Sequence, residues 1–89
     1  MMYPFMVIED NIEVVHSEIR PDNTIRVYFE QPIHGGFHSV ECILPSYEWK
    51  NNKGFTKEEL DYFDEFLHSI AHVIIEVAQE GDYEYAAGF

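Results

Sequence analysis

FTKEELDYFDEFLHSIAHVIIEVAQEG, residues 55–81, is the stretch on which the fold turns. Thr56-Lys57-Glu58-Glu59 has the form of a capping box. The Thr56 hydroxyl can accept from the Glu59 backbone N–H, and the Glu59 carboxylate can reach back to that of Thr56. Phe55 before the cap and Leu60 at the fourth helical position are placed as a hydrophobic staple. Further along, Leu60, Phe63, Leu67, Ile70, Ile74 and Val77 recur with gaps of three and four, which winds them onto one side of a helix. Phe66 and Val73 widen that stripe on one flank, Ala71 and Ala78 on the other. Gly81 is suited to a left-handed stop. The pattern predicts a continuous helix from Lys57 to Glu80, about 36 Å long at about 1.5 Å per residue. Such a helix must lie on something apolar.

The residues before it supply that surface. Tyr3 to Ile8 is apolar and aromatic enough for a first strand, and Pro4 suits an edge position. Glu9-Asp10-Asn11 reads as a turn. Ile12 to Ile19 is strand-like by its Ile and Val content. Pro21-Asp22-Asn23-Thr24 is a turn by its residue chemistry. Ile25, Val27 and Phe29 alternate with Arg26, Tyr28 and Glu30, the pattern of a strand with one wet face. Pro32-Ile33-His34-Gly35-Gly36 makes the next connection. From Phe37 to Leu44, Val40, Cys42 and Leu44 point one way while Ser39 and Glu41 point the other. Ser46 to Gly54 reads as a polar loop carrying Tyr47 and Trp49. Beyond Gly81, Asp82 to Phe89 alternates acid and aromatic and is expected either to add a short strand or to wrap as a tail.

Short connections imply hairpins. The expected fold is therefore α+β: an antiparallel meander of three to four strands with one long C-terminal amphipathic helix packed on one face, a two-layer sandwich. Residues 1–89 are read as a single domain. A chain this short buries only about 60–65% of its unfolded surface, so added burial from a partner would matter.

Composition narrows the function. Hydrophobic residues at 46% and aromatics at 16% are ample for a core and argue against disorder. Cys42 is the only cysteine, so no internal disulfide forms; between Val40 and Leu44 it reads as a buried thiol. No apolar run approaches the roughly 18 residues of a membrane span and no signal segment opens the chain, so a cytoplasmic protein is expected.

The net charge of −12 excludes nucleic acid as a direct partner, because phosphate binding needs clustered Lys and Arg. From Glu58 to Phe89 there are nine acidic residues and no Lys or Arg. That asymmetry gives the helix a negative field that a basic protein surface would meet.

Candidate sites follow from the helix. His68 and His72, one turn apart with Glu65 and Glu76 on either side, have the spacing of a helical metal site for an ion such as zinc or nickel. They stand on the outward face where polar residues belong, so surface histidines and no cofactor are expected, with the metal site as the alternative. The helix lacks the glutamate directly after the first histidine that a hydrolytic zinc helix carries. His34 and His38 flank a glycine pair, and a second cluster would form if the strands brought His16 toward His38. The serines lack a nucleophile-elbow context, and with seventeen acids no catalytic pair stands out, so no enzyme is expected. Tyr62 and Ile75 fall off the apolar stripe. Trp49 reads either as a contact anchor or as a lid over the core. Asp61, Tyr62, Glu65, Ile75, Glu76 and Trp49 thus compose the expected interaction face, for a basic protein partner or a second copy in a homodimer.

The opening Tyr3-Pro4-Phe5-Met6-Val7-Ile8-Glu9 and the Thr56-Lys57-Glu58-Glu59-Leu60 helix start resemble pieces of HicB-type antitoxin domains, which are small sheet-plus-helix proteins. The resemblance covers about a dozen residues. It lacks the Phe-Pro-Asp-Leu-Pro-Gly signature, in whose place stands Phe29-Glu30-Gln31-Pro32, and it lacks a DNA-binding extension. What it implies is an inhibitor- or antitoxin-like module.

Overall fold

The computed structural model describes residues 2–80. In chain order it has β1 (Met2–Ile8), β2 (Ile12–Ser17), β3 (Ile25–Ile33), β4 (Gly36–Leu44), β5 (Glu48–Lys53) and α1 (Lys57–Glu80). The strands form one sheet in the order β1-β2-β3-β4-β5, and every neighbouring pair is antiparallel. The fold is α+β. The expected Gly81 stop and the segment 82–89 lie outside the described residues.

The meander has five strands, not the expected three or four. The extra one, β5, occupies the stretch read as a loop. Trp49, opposite Cys42, is its half-buried residue, and the rest of the strand is exposed. Its register also slips between Ser39 and Glu41 of β4, where Asn51 takes a left-handed φ of 59°. A polar edge strand with a bulge carries no hydrophobic period of two, so alternation could not reveal it.

Elsewhere the local chemistry acts as its residue types require. Pro4 sits on the edge strand β1, with a bulge beside it between Pro4 and Met6. In the β2–β3 turn, Asp22 accepts from the Thr24 backbone N–H at 3.1 Å and from the Thr24 hydroxyl at 2.5 Å. These bonds hold the Asp22 carboxyl below its ordinary value, the Thr24 hydroxyl first among the causes. At the start of α1 the capping box closes: Thr56 N–H donates to Glu59 Oε1 at 2.9 Å, and Glu59 N–H donates to Thr56 Oγ1 at 3.1 Å.

The loop into α1 turns at Gly54 (φ +96°), where the His38 ring leaves no room for a Cβ. Asn52 brackets Phe55 from both sides, accepting from its N–H at 3.2 Å and donating to its carbonyl at 3.0 Å.

The core lies between α1 and one face of the sheet. Ile12 and Val14, Ile25, Val27 and Phe29, and Val40, Cys42 and Leu44 are buried under Phe63, Leu67, Ala71, Ile74 and Ala78. Phe63 stacks on Phe29 with centroids 4.5 Å apart and meets Phe55 edge-on at 4.9 Å. The helix is rolled from the expected orientation. Ala71 and Ala78 are buried, whereas Ile70 and Val77 are half-buried and Val73 is 37% exposed. Two small side chains let the backbone come close to the sheet on their flank, which lifts the opposite flank toward solvent.

Candidate functional site

Rolling α1 sets what its outer side presents. Asp61, Tyr62, Glu65, His72 and Glu76 are all exposed. At about 100° per residue, Glu58, Glu65 and Glu76 fall within about 20° of one line along the helix. Lys57, the last cation before this run, pairs with Asp61 at 3.3 Å in an exposed (i, i+4) contact. That leaves Glu58, Glu65 and Glu76 as an anionic ridge, with Tyr62 (43% exposed) and Val73 along its side. The ridge is convex and wet. It can attract a cationic surface but cannot enclose a small substrate.

Two residues expected on this face lie elsewhere. Ile75 is half-buried and packs against the core, beside Ile19, Ile25, Leu44 and Pro45 in a groove of about 240 Å³ at the end of the helix. Trp49 is turned toward the core: its indole N–H donates to Asp64 Oδ1 at 3.0 Å, and its ring lies 5.7 Å from Phe29. Between the two readings of Trp49, the packing is that of a lid. It ties β5 to α1.

The histidines separate in the same way. His68 stacks flat on Tyr47, centroids 3.8 Å apart and 7° between the rings, and its Nδ1–H donates to the Asp64 carbonyl at 2.8 Å. The Asp64 carboxylate stands 3.6 Å from the same nitrogen. His68 is thus occupied by structural contacts, while His72 is exposed one turn on. Among the described residues no three His, Cys, Asp or Glu side chains converge to hold a metal ion. His16 and His38 do not meet either. His16 is opposite Val27 and His38 opposite Gln31, about four residues or 13 Å apart along β3. His38 accepts or donates at 3.2 Å with Gln31 Oε1 and stands edge-on to Phe55.

Cys42 is fully buried, and its thiol is pushed up to about 12, by burial first and then by the charges of Asp64 and Glu41. A neutral, enclosed thiol is no nucleophile.

Sequence reading overlooked the other face of the sheet. There Glu41 is only 3% exposed although no element among the described residues covers it. Its Oε1 accepts from Asn51 Nδ2 at 3.1 Å. Its Oε2 lies 3.3 Å from Arg26 Nη1 yet receives no hydrogen bond. Tyr28 stands opposite Glu41 in the ladder. Strand alternation alone puts Arg26, Tyr28 and Glu41 on this face. Their meeting depends on the β3–β4 register, which is non-local.

The chain matches no family model, and no curated protein or solved structure matches it significantly. Among the described residues no helix is long and apolar enough to cross a membrane.

Proposed function

We propose that this protein is a small acidic, non-enzymatic interaction module that docks on a basic protein surface through the outer face of α1. One observation carries the reading: Glu58, Glu65 and Glu76 line up on the exposed side of a helix that has no cation after Lys57, with Tyr62 and Val73 exposed beside them. Carboxylates in a line meet Lys and Arg of a partner, and the aromatic edge supplies apolar contact at the border. An inhibitor or antitoxin-like module that covers a nucleic-acid-binding surface would use such a face, without contacting nucleic acid itself. A cytoplasmic, self-associating protein completes the proposal.

Retention of partner proteins from the source cell on immobilised wild type and on Glu65→Lys/Glu76→Lys, followed by their identification, tests it. Wild type should retain a basic protein that elutes as salt rises, because exposed charges are screened within about 8–10 Å at physiological salt. Equal retention by the charge-reversed protein would overturn the reading.

A further inference from the structure

The face of the sheet that no element among the described residues covers is organised in rows. Antiparallel register puts Glu13, Glu30, Ser39 and Lys53 in one row across β2 to β5, and Val15, Tyr28, Glu41 and Lys50 in the next. In these two rows the acids without an ion-pair partner, Glu13 and Glu30, lie on β2 and β3, and the bases Lys50 and Lys53 lie on β5. Glu13 and Glu30 oppose each other directly, a like-charge pair that costs stability in an isolated sheet. Among the described residues neither has an ion-pair partner, and neither have Lys50 and Lys53.

Three of the chain's five basic residues, Arg26, Lys50 and Lys53, lie on this face with four acids, Glu13, Glu30, Glu41 and Glu48. In a chain of net charge −12 it is close to electrically balanced. Tyr28 stands as a ridge between two shallow grooves. One of about 510 Å³ is lined by Met2, Pro4, Val15 and the two unpaired acids. The other, of about 300 Å³, includes Ser39, Glu41, Asn51 and Lys53.

We infer that this face binds a second copy of the chain, sheet against sheet. A two-fold axis parallel to the strands, above the seam of β3 and β4, exchanges β2 with β5 and β3 with β4 and keeps each row on itself. It places Lys53 against the partner's Glu13 and Ser39 against the partner's Glu30. It also sets the Tyr28 ring over the partner's Glu41 position. Each ridge enters the other copy's groove. Aligned sheets cross at about 30°, so contacts near the axis, Tyr28 with Glu41, keep register best.

The axis lays β2 to β5 over the partner's β5 to β2, and four strands about 4.8 Å apart and about 20 Å long offer roughly 400 Å² of sheet on each copy. Two such faces together come to roughly 800 Å², the size of a small interface, as a weak dimer has. In this arrangement both acidic helices face outward, so the helix face stays free for its partner. The inference rests on the reading of the protein as self-associating and names the surface used.

Sedimentation velocity on the full chain, with folding checked by circular dichroism, is the test. Wild type should reach a dimer in the micromolar range. Lys50→Glu/Lys53→Glu and Glu13→Lys/Glu30→Lys should each sediment as monomers, and an equimolar mixture of the two should restore the dimer. A wild-type monomer at every attainable concentration removes both self-association and this surface. A dimer that both variants preserve leaves self-association standing and removes this surface.

Zero-length carbodiimide cross-linking of mixed isotope-labelled and unlabelled wild type requires no variant to fold. It should yield links between Lys50 or Lys53 of one copy and Glu13 or Glu30 of the other. Lys53 and Glu13 lie three strands, about 14 Å, apart within one chain, too far for that link. Dimers without such links would also overturn the inference.

Discussion

The two faces of one sheet obey different rules. On the covered face Val14, Val27, Phe29, Val40, Cys42 and Leu44 are essentially inaccessible, and α1 closes over them. On the open face the alternate residues of the same strands are Glu13, Arg26, Tyr28, Glu30 and Glu41, with an ion pair and a like-charge pair. A one-residue change of phase separates a dry core from a charged surface. The difference teaches where specificity resides: apolar volume fixes the fold on one side, and cross-strand register fixes a charge pattern on the other.

The covered face responds most strongly to a hole opened under the helix. Phe63 is fully buried between Phe29 and Phe55, so Phe63→Ala should cost about 3–5 kcal/mol by urea unfolding. A cost near the surface norm of about 0.5 kcal/mol would mean that α1 does not cover this face.

Alkali probes the same side without deleting atoms. Cys42 has a folded-state value raised to about 12 against an ordinary 9.0, so the native state favours the neutral thiol. That contribution is complete below pH about 9 and is lost as pH rises toward 12, at up to about 1.4 kcal/mol per pH unit. The stability of wild type relative to Cys42→Val should therefore fall as alkali is added. Parallel curves would show that the thiol is not enclosed.

Gly54 controls how the chain returns to the covered face. Its φ of +96° and the His38 ring both exclude a side chain, so Gly54→Ala should cost about 2–3 kcal/mol. Gly36→Ala is the control: nothing lies within 4 Å and φ is not in the left-handed region. Its effect should stay within about 0.5 kcal/mol. Thr56→Ala removes one of the two capping-box bonds and should cost about 1 kcal/mol by the same measurement.

These positions also mark how far sequence alone reaches. The start of the helix and its course to Glu80 were legible because a cap, a periodic stripe and a run of one charge sign all act within a few residues of each other. The inward sides of β3 and β4 were legible from alternation. The strand β5 was not, because Trp49 is the residue it turns to the core and Asn51 breaks its phase. The roll of α1 was not, because two alanines signal close approach only once a sheet lies under them. Of the proposed interaction face, Asp61, Tyr62, Glu65 and Glu76 are exposed, while Ile75 and Trp49 are held by the core. The pairing of Arg26 with Glu41 joins residues fifteen apart through strand register, and no local pattern encodes it.

The smallest effect separates the two faces most finely. Glu30 opposes Glu13 across the open face, so Glu30→Lys converts a repulsive cross-strand pair into an attractive one. At concentrations too low for association, it should stabilise the monomer by about 0.2–1 kcal/mol, read from the urea midpoint. If the open face were only solvated surface, that gain would persist unchanged at high concentration. If it is the self-association surface, the same substitution puts a cation one strand away from the partner's Lys53, which opposes Glu13. Its advantage over wild type should then shrink and reverse as concentration rises, because dimer formation stabilises only the wild type by mass action. A stability ranking that inverts with concentration follows from a sheet face that gives up monomer stability for a partner. A ranking that never inverts assigns the Glu13–Glu30 repulsion no such role.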